Sequence, residues 1–170
     1  MSKDSIRIEL NGAVDEAQAA LGMARSLVER GSELDRILVL LERDLWVLMA
    51  EVATAESDRP KLTAGKSLVT LEMVSGLEEL IDEVQGKFAM PKAFVVPGEN
   101  KVSAALDVAR TIVRRAERIG VAVSAEVPES NIGKYLNRLS DLIWTLARWQ
   151  EERHLLAKEV GPRDATKVAD

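Results

Sequence analysis

The sequence predicts an all-α fold, a five-helix up-and-down bundle, and three observations carry that expectation. Apolar residues recur at the helical period of about 3.6 in five separate segments. Ala, Leu, Glu and Arg are abundant while aromatic residues make up only 4% of the chain, a bias toward helix formers. No segment alternates as a half-buried strand would, and the connections are short enough to join antiparallel neighbours.

The first helix is marked by Val14, Ala17, Leu21, Ala24 and Val28 and stops at Gly31. Asp15 and Glu16 follow Gly12-Ala13-Val14 and read, on their own, as favourable partners of a helix N-terminal dipole. Ser32 opens the second helix in a capping-box-like SELD, with Leu34, Ile37, Leu38, Leu41, Leu45, Leu48, Met49 and Val52 on its core face. A polar break, ESDRPKLTAG, follows. The GKS at 65–67 is no phosphate loop, since that pattern needs glycine where Pro60 stands and needs a preceding strand; it reads as a helix start. The third helix turns Val74, Leu77, Leu80, Ile81 and Val84 inward. Pro91 and Pro97-Gly98 then bracket an extended FVV. The fourth helix covers about residues 100–125. The fifth, after Pro128, carries Ile132, Tyr135, Leu136, Leu139, Leu142, Ile143, Leu146 and Trp149 on one face. Residues 1–158 form one bundle domain, and 159–170, with Gly161-Pro162, a disordered polar tail.

Composition narrows the function. A chain of 170 residues, 46% hydrophobic and 30% charged, can bury a sizeable core. A formal charge of −5 argues against non-specific nucleic-acid binding, which relies on a broad basic surface. With no cysteine there is neither a disulfide framework nor a thiolate metal site. His154 is the only histidine, so a histidine-based zinc site is out of reach, and its place near the end of the last helix reads as an exposed helix position. The apolar run ILVLL is far short of a membrane span and no secretory signal is present, so a cytoplasmic, membrane-free protein is expected.

Against this acidic background the stretch ARTIVRRAER (109–118) packs four guanidiniums and one carboxylate into one helical segment. Arg110, Arg114, Glu117 and Arg118 follow i, i+4, i+7, i+8 and share a stripe beside Ala105, Ala109, Ile112, Ala116 and Ile119, which face a core. Two readings stand. Like charges held at the edge of a seam suit a polyphosphate, whose oxygens match the guanidinium fork; or the row is a solvated face with a few Glu–Arg pairs. On the fifth helix Asn137, Ser140 and Asp141 lie at i, i+3, i+4, able to orient a nucleotide, pair with the arginines or form a polar seam.

Three stretches in order carry a resemblance: SKDSIRIELNGAVDEAQAALG (2–22), AFVVPGENKVSAALDVARTIVRRAER (93–118) and YLNRLSDLIWTLAR (135–148). Together they resemble the PduO-type ATP:cob(I)alamin adenosyltransferases, over nearly the whole chain. The resemblance implies transfer of the 5′-deoxyadenosyl group of ATP to cob(I)alamin or another corrinoid, with Mg²⁺ carried on ATP rather than on protein side chains. It implies that Arg114, Arg115, Glu117, Arg118 and Asn137 surround ATP, that Lys3 binds its phosphates, and that Asp141 lies near the corrin site. Arg114, Asn137 and Asp141 are the residues it assigns to catalysis. It places Phe94 beneath the corrin and pairs Asp15 with Arg110 across a subunit boundary of a homotrimer. A cobalt reductase and an adenosylcobalamin-dependent enzyme are the partners it suggests.

Family members carry a T-K-x-G-D-x-G-x-T phosphate loop ahead of the segment matching SKDS, whereas this sequence opens at Met1-Ser2-Lys3-Asp4. Two expectations follow from that departure. Either the coding start lies further upstream, or the chain is a short form that holds a corrinoid, or merely builds a trimeric bundle, without the chemistry.

Overall fold

A computed structural model describes residues 5–127 and 129–161. Along the chain run α1 (Ile6–Ser26), α2 (Glu33–Ala53), a 3₁₀ turn (Glu56–Lys61), α3 (Leu71–Gln85), α4 (Lys101–Glu126), α5 (Ile132–Trp149) and a short 3₁₀ turn (Ala157–Glu159). The expected five-helix bundle is present. Four of the helices begin at a residue that satisfies an orphan N–H: Ser5, Ser32, Thr70 and Asn100 each accept from the backbone three residues on, and Asn100 completes a reciprocal capping box with Ser103.

Pairs between helices fix their directions. Arg25 meets Asp35 and Gln18 meets the Glu42 carbonyl, so α1 and α2 are antiparallel. Arg7 pairs with Glu126 and Arg115 with Glu16, so α4 runs against α1. Asn137 meets Glu117 and Arg148 meets Asp107, so α5 runs against α4. Along α3 and α5 the contacts Val69–Asn131, Glu78–Arg138 and Lys87–Trp149 rise together, which makes these two helices parallel. Among the described residues no helix is long and apolar enough to cross a membrane.

Three local expectations change. The first helix starts at Ile6, well before Val14, with Gly12 inside it; a mid-helix glycine costs about 1 kcal/mol, which burial of Leu10, Ala13 and Val14 outweighs. Asp15 is therefore mid-helix, and Glu9 holds the favourable first-turn place. The GKS segment is a turn rather than a helix start. The N–H groups of Lys66, Ser67 and Leu68 all donate to the Thr63 carbonyl, Gly65 adopts φ +68°, and the helix waits for Thr70. The SELD cap is also one-sided: Ser32 accepts from Asp35 N–H, but Asp35 reaches back to Gly31 N–H and to Arg25. Those donors hold its carboxyl below the usual range, the Gly31 N–H most of all. The tail expected over 159–170 lies outside the described residues from 162 onward.

The core is a continuous apolar cluster in which Leu10, Val14, Leu38, Leu45, Val113, Tyr135, Leu139 and Leu146 lose all contact with solvent. Glycines permit a close approach of α4 and α5: a Cβ at Gly120 would stand 3.2 Å from Leu136 Cδ1, and one at Gly133 3.1 Å from Ser124 Oγ. Two buried carboxylates pin the periphery. Glu51, wholly buried, accepts from Val69 N–H (2.8 Å), Ser130 Oγ (2.7 Å) and Arg59 Nη2 (3.2 Å), tying the 3₁₀ turn and the approaches to α3 and α5 onto α2. Asp44 accepts from Tyr135 Oη at 3.1 Å. Burial pushes the Asp44 carboxyl up, against the opposing pull of Tyr135 and Arg43, and burial with the Asp44 charge pushes the Tyr135 phenol well above its ordinary value.

Two stability outcomes follow. Glu51→Ala strands three donors, one of them the Arg59 guanidinium, so urea unfolding should show a loss of about 3–5 kcal/mol, the range for breaking a buried pair. Asp44 behaves in the opposite sense. Its folded-state affinity for a proton exceeds its unfolded one, so its charge costs stability at neutral pH and that cost vanishes as pH falls to the ordinary aspartate range near about 4. Asp44→Asn, which keeps an acceptor for Tyr135, should equal or exceed the parent in urea midpoint at pH 7, with the gap closing in mild acid.

Candidate active site

Helix α4 sets its arginines at the rim of the bundle because the residues between them are needed inside. Ala109, Val113 and Ala116 are fully buried, whereas Ile112 and Ile119 of the expected apolar stripe are only partly so; Leu106, Gly120 and Val123 complete the true inner face. Arg114 is half-exposed and lies 3.4 Å from Glu117 Oε2. The other Glu117 oxygen accepts from Asn137 Nδ2 at 2.8 Å, which extends the string across the groove to α5. Arg118 caps the Arg114 carbonyl through Nη1 at 3.2 Å. Arg115 leaves the row, pairing with Glu16 of α1. One carboxylate thus orients Arg114 and Asn137 together, leaving net positive charge at the groove.

Beside this groove lies a cavity of about 800 Å³, lined among others by Lys92, Phe94, Asp107, Arg110, Trp144 and Arg148. That volume suits a sizeable organic ligand. One wall is the 91–97 loop, which the sequence expectation made extended at FVV. Its backbone is clasped to the segment after α5: Val96 N–H donates to Leu155 O and Ala157 N–H to Phe94 O, each at 2.8 Å. Phe94 itself is 89% exposed, a large apolar side chain left without packing partners on the wall of a cavity.

The floor is charged and dry. Arg148, 2% exposed, donates through Nη2 to Asp107 (2.5 Å) and Glu151 (2.9 Å), and its guanidinium lies 5.8 Å from the Trp144 ring centre. Asp107 Oδ1 stands 3.4 Å from Arg110 Nε. Glu151 passes the connection on to His154 Nδ1 at 2.7 Å. Each carboxylate is shared between two cations or donors, which is what keeps a buried guanidinium tolerable.

Of the residues singled out from sequence, the structure brings Arg114, Glu117, Arg118 and Asn137 together and puts Arg110 and Phe94 on one cavity. Asp141 stands apart from the arginine row, bonded to Arg138 at 2.9 Å, with Arg138 also 3.0 Å from Glu78 of α3. Asp15 is exposed on α1, and within the chain Arg110 takes Asp107 instead. Lys3 lies outside the described residues. His154 corrects its expectation: α5 ends at Trp149, so His154 belongs to the following segment, where it is largely shielded and bonded on both sides. Asp107, Trp144, Arg148 and Glu151 were not singled out. The available signal was the i, i+3 spacing of Asp107–Arg110 and Arg148–Glu151, which is too common on helices to mark a site. Among the described residues no group of three or more His, Asp or Glu side chains is placed to hold a metal ion.

Comparison with known proteins gives this geometry its context. Residues 1–150 match the family model described as Cobalamin adenosyltransferase. The chain is 40% identical over 152 residues to a corrinoid adenosyltransferase of Citrobacter freundii, covering 89% of this chain and 84% of that one. It is 34% identical over 151 residues to a corrinoid adenosyltransferase of Mycobacterium tuberculosis, with 87% and 77% covered. Its fold superposes with TM-score 0.74 on a variant of the PduO-type ATP:corrinoid adenosyltransferase from Lactobacillus reuteri complexed with cobalamin and ATP, at 28% identity over 88% of this chain and 80% of that one. With its arginine groove, its cavity and this likeness along most of its length, the chain belongs to the cobalamin adenosyltransferase family.

Proposed function

We propose that the chain transfers the 5′-deoxyadenosyl group of ATP to a cobalt(I) corrinoid such as cob(I)alamin, releasing adenosylcobalamin and triphosphate. The observation that carries this reading is Arg110. It is the first member of the arginine row and also part of the cavity wall, so the row suited to polyphosphate and the cavity suited to a large planar ligand share a side chain.

The chemistry is a displacement at carbon. Cobalt(I) donates its electron pair to C5′, the C5′–O bond breaks, and that bond's pair leaves on the triphosphate. The nucleophile comes with the substrate, so the protein has to position two reactants and stabilise the departing charge. Arg114 and Arg118, half-exposed and only weakly paired, are the side chains suited to take phosphate oxygens; Arg115 joins them by exchanging Glu16 for ligand. Glu117 and Asn137 hold one another and so fix one edge of the nucleotide. Lys3 adds a phosphate contact and Asp141 flanks the site. A divalent cation such as Mg²⁺ fits on triphosphate oxygens, since the described side chains offer it no cluster. Phe94 covers the lower face of the corrin, excluding an axial ligand and easing reduction of cobalt(II). Trimeric assembly pairs Asp15 of one subunit with Arg110 of the next and completes each site at a subunit boundary. The setting is cytoplasmic, with a cobalt reductase upstream and an adenosylcobalamin-dependent enzyme downstream.

The direct check mixes the chain with ATP and chemically reduced cobalamin without oxygen, and follows adenosylcobalamin by absorbance and triphosphate by chromatography. A corrinoid that binds but never changes its spectrum with ATP would demote the protein to a carrier. Arg114→Ala and Asn137→Ala should each lower turnover by about 100-fold or more, the scale for losing a charge-stabilising donor, with circular dichroism unchanged. Asp15→Arg should weaken the trimer by at least about tenfold in Kd through like-charge repulsion, and Asp15→Arg with Arg110→Asp should restore it, read by sedimentation; a trimer indifferent to both changes removes that ion pair from the interface.

A further inference from the structure

The described part of the corrinoid half of the site contains a residue that neither the chemistry nor the family pattern uses so far: His154. Its Nδ1 lies 2.7 Å from Glu151 Oε2 and its Nε2 3.3 Å from the Ala89 carbonyl oxygen, with Phe88 packed edge-on at 6.2 Å between ring centres. Both ring nitrogens therefore face acceptors. Only the imidazolium can donate to both; a neutral ring turns a lone pair toward one oxygen. Of the two bonds the one to the carboxylate is the stronger, so deprotonation sacrifices the tie to Ala89.

What that tie holds is the cavity wall. Ala89 stands two residues before Pro91, where the stretch that lines the cavity through Lys92 and Phe94 to Pro97 begins. On the other side Glu151 holds Arg148, Arg148 holds Asp107, and Asp107 meets Arg110, the last three lining the cavity. His154 joins floor to wall. Of the neighbouring charges, Lys87 pairs with Glu33 and Glu83, and Arg153 with Glu99 at 3.8 Å, while Glu152 and Lys92 are exposed. Among the described residues Glu151 is the one charged group bonded to the ring, and the loop side presents a carbonyl and an aromatic edge.

The geometry points to His154 as a positioning residue that, in its protonated form, fixes the 89–97 loop and with it Phe94 against the bound corrinoid. This deepens the function proposed above and rests on it. Binding of cob(II)alamin by equilibrium dialysis, between about pH 5 and 8 where an imidazole changes charge, reads it without turnover. The expected result is a Kd that rises at least threefold from the acid to the alkaline end, with ATP affinity changing less. His154→Gln should bind with the weaker, alkaline-type Kd at every pH, and His154→Lys, which keeps a positive donor, should bind tightly without the pH dependence. His154 lies on the segment after α5, outside the apolar core cluster, so each variant should melt within a few degrees of the parent. A pH-independent parent, or an undiminished pH dependence in His154→Gln, overturns the proposal while leaving the adenosyltransferase reading intact. Absence of cob(II)alamin binding at every pH overturns both.

Discussion

The close packing of α4 on α5 is the constraint from which the site follows. Ala105, Ala109, Ala116 and Gly120 give α4 a low inner face, and at Gly120 Leu136 and Ile132 of α5 come against it. Two helices this close leave no room for long polar side chains between them, so those on α4 are driven to the edges of the seam. On one edge stand the arginines; on the other ends of the same seam, where the helices carry Asp107 and Arg148, charge is enclosed instead. The antiparallel register then decides which groups meet. Because α5 runs against α4, Asn137 near its start faces Glu117 far along α4, and Arg148 near its end faces Asp107 two turns from the α4 start.

Burial sorts the charged groups into two kinds. Glu51, Asp35, Asp107 and Glu151 are enclosed, each bonded to more than one donor, and their work is to hold loops and helix ends in place. Arg114 and Arg118 keep water contact and single, long bonds. An exposed ion pair of that kind contributes at most about 1 kcal/mol, so exchanging it for a ligand phosphate costs the fold little. The enclosed group does the reverse: removing any member uncovers a buried charge. A family built on this bundle can therefore vary its rim without risk to the core, whereas the Arg148 cluster binds the loop, α4 and the end of α5 into one unit.

How far the sequence was legible depended on periodicity. Helices with long apolar stripes, α2 and α5 above all, could be placed almost to the residue, and the caps at Ser32 and Asn100 are written in residue type. Ser5 and Ile6 carried no such signal, since Gly12 interrupts the helical pattern and hides the first two turns of α1. The GKS turn was misplaced because a glycine ahead of a polar pair suits a cap and a turn equally. At the site, the arginine row was visible because like charges at helical spacing are rare in an acidic chain. Arg148 and His154 were not, because their meaning lies in partners 41 and 65 residues away. Phe94 drew attention only through likeness to a family; nothing in its own sequence neighbourhood says that it faces a cavity rather than anchoring a loop.

A displacement reaction in which the attacking atom belongs to one substrate and the leaving group to the other asks a protein for alignment above all. On the proposed reading the two substrates meet at Arg110, and the alignment of one cannot be independent of the other. Asp107 is bonded to Arg110 on the groove side and to Arg148 on the cavity side, so a charge drawn toward either partner is drawn from the other. On the proposed assembly Asp15 of the next subunit draws Arg110 from Asp107, which then commits more fully to Arg148 and, through Glu151, to the segment that clasps the Phe94 loop. The route is a short chain of ion pairs with few alternative arrangements, the kind of connection through which two ligands can sense each other without any large movement of the helices. Assembly of the trimer would then firm the corrinoid wall, and by reciprocity a seated corrinoid would favour the assembled arrangement of Arg110.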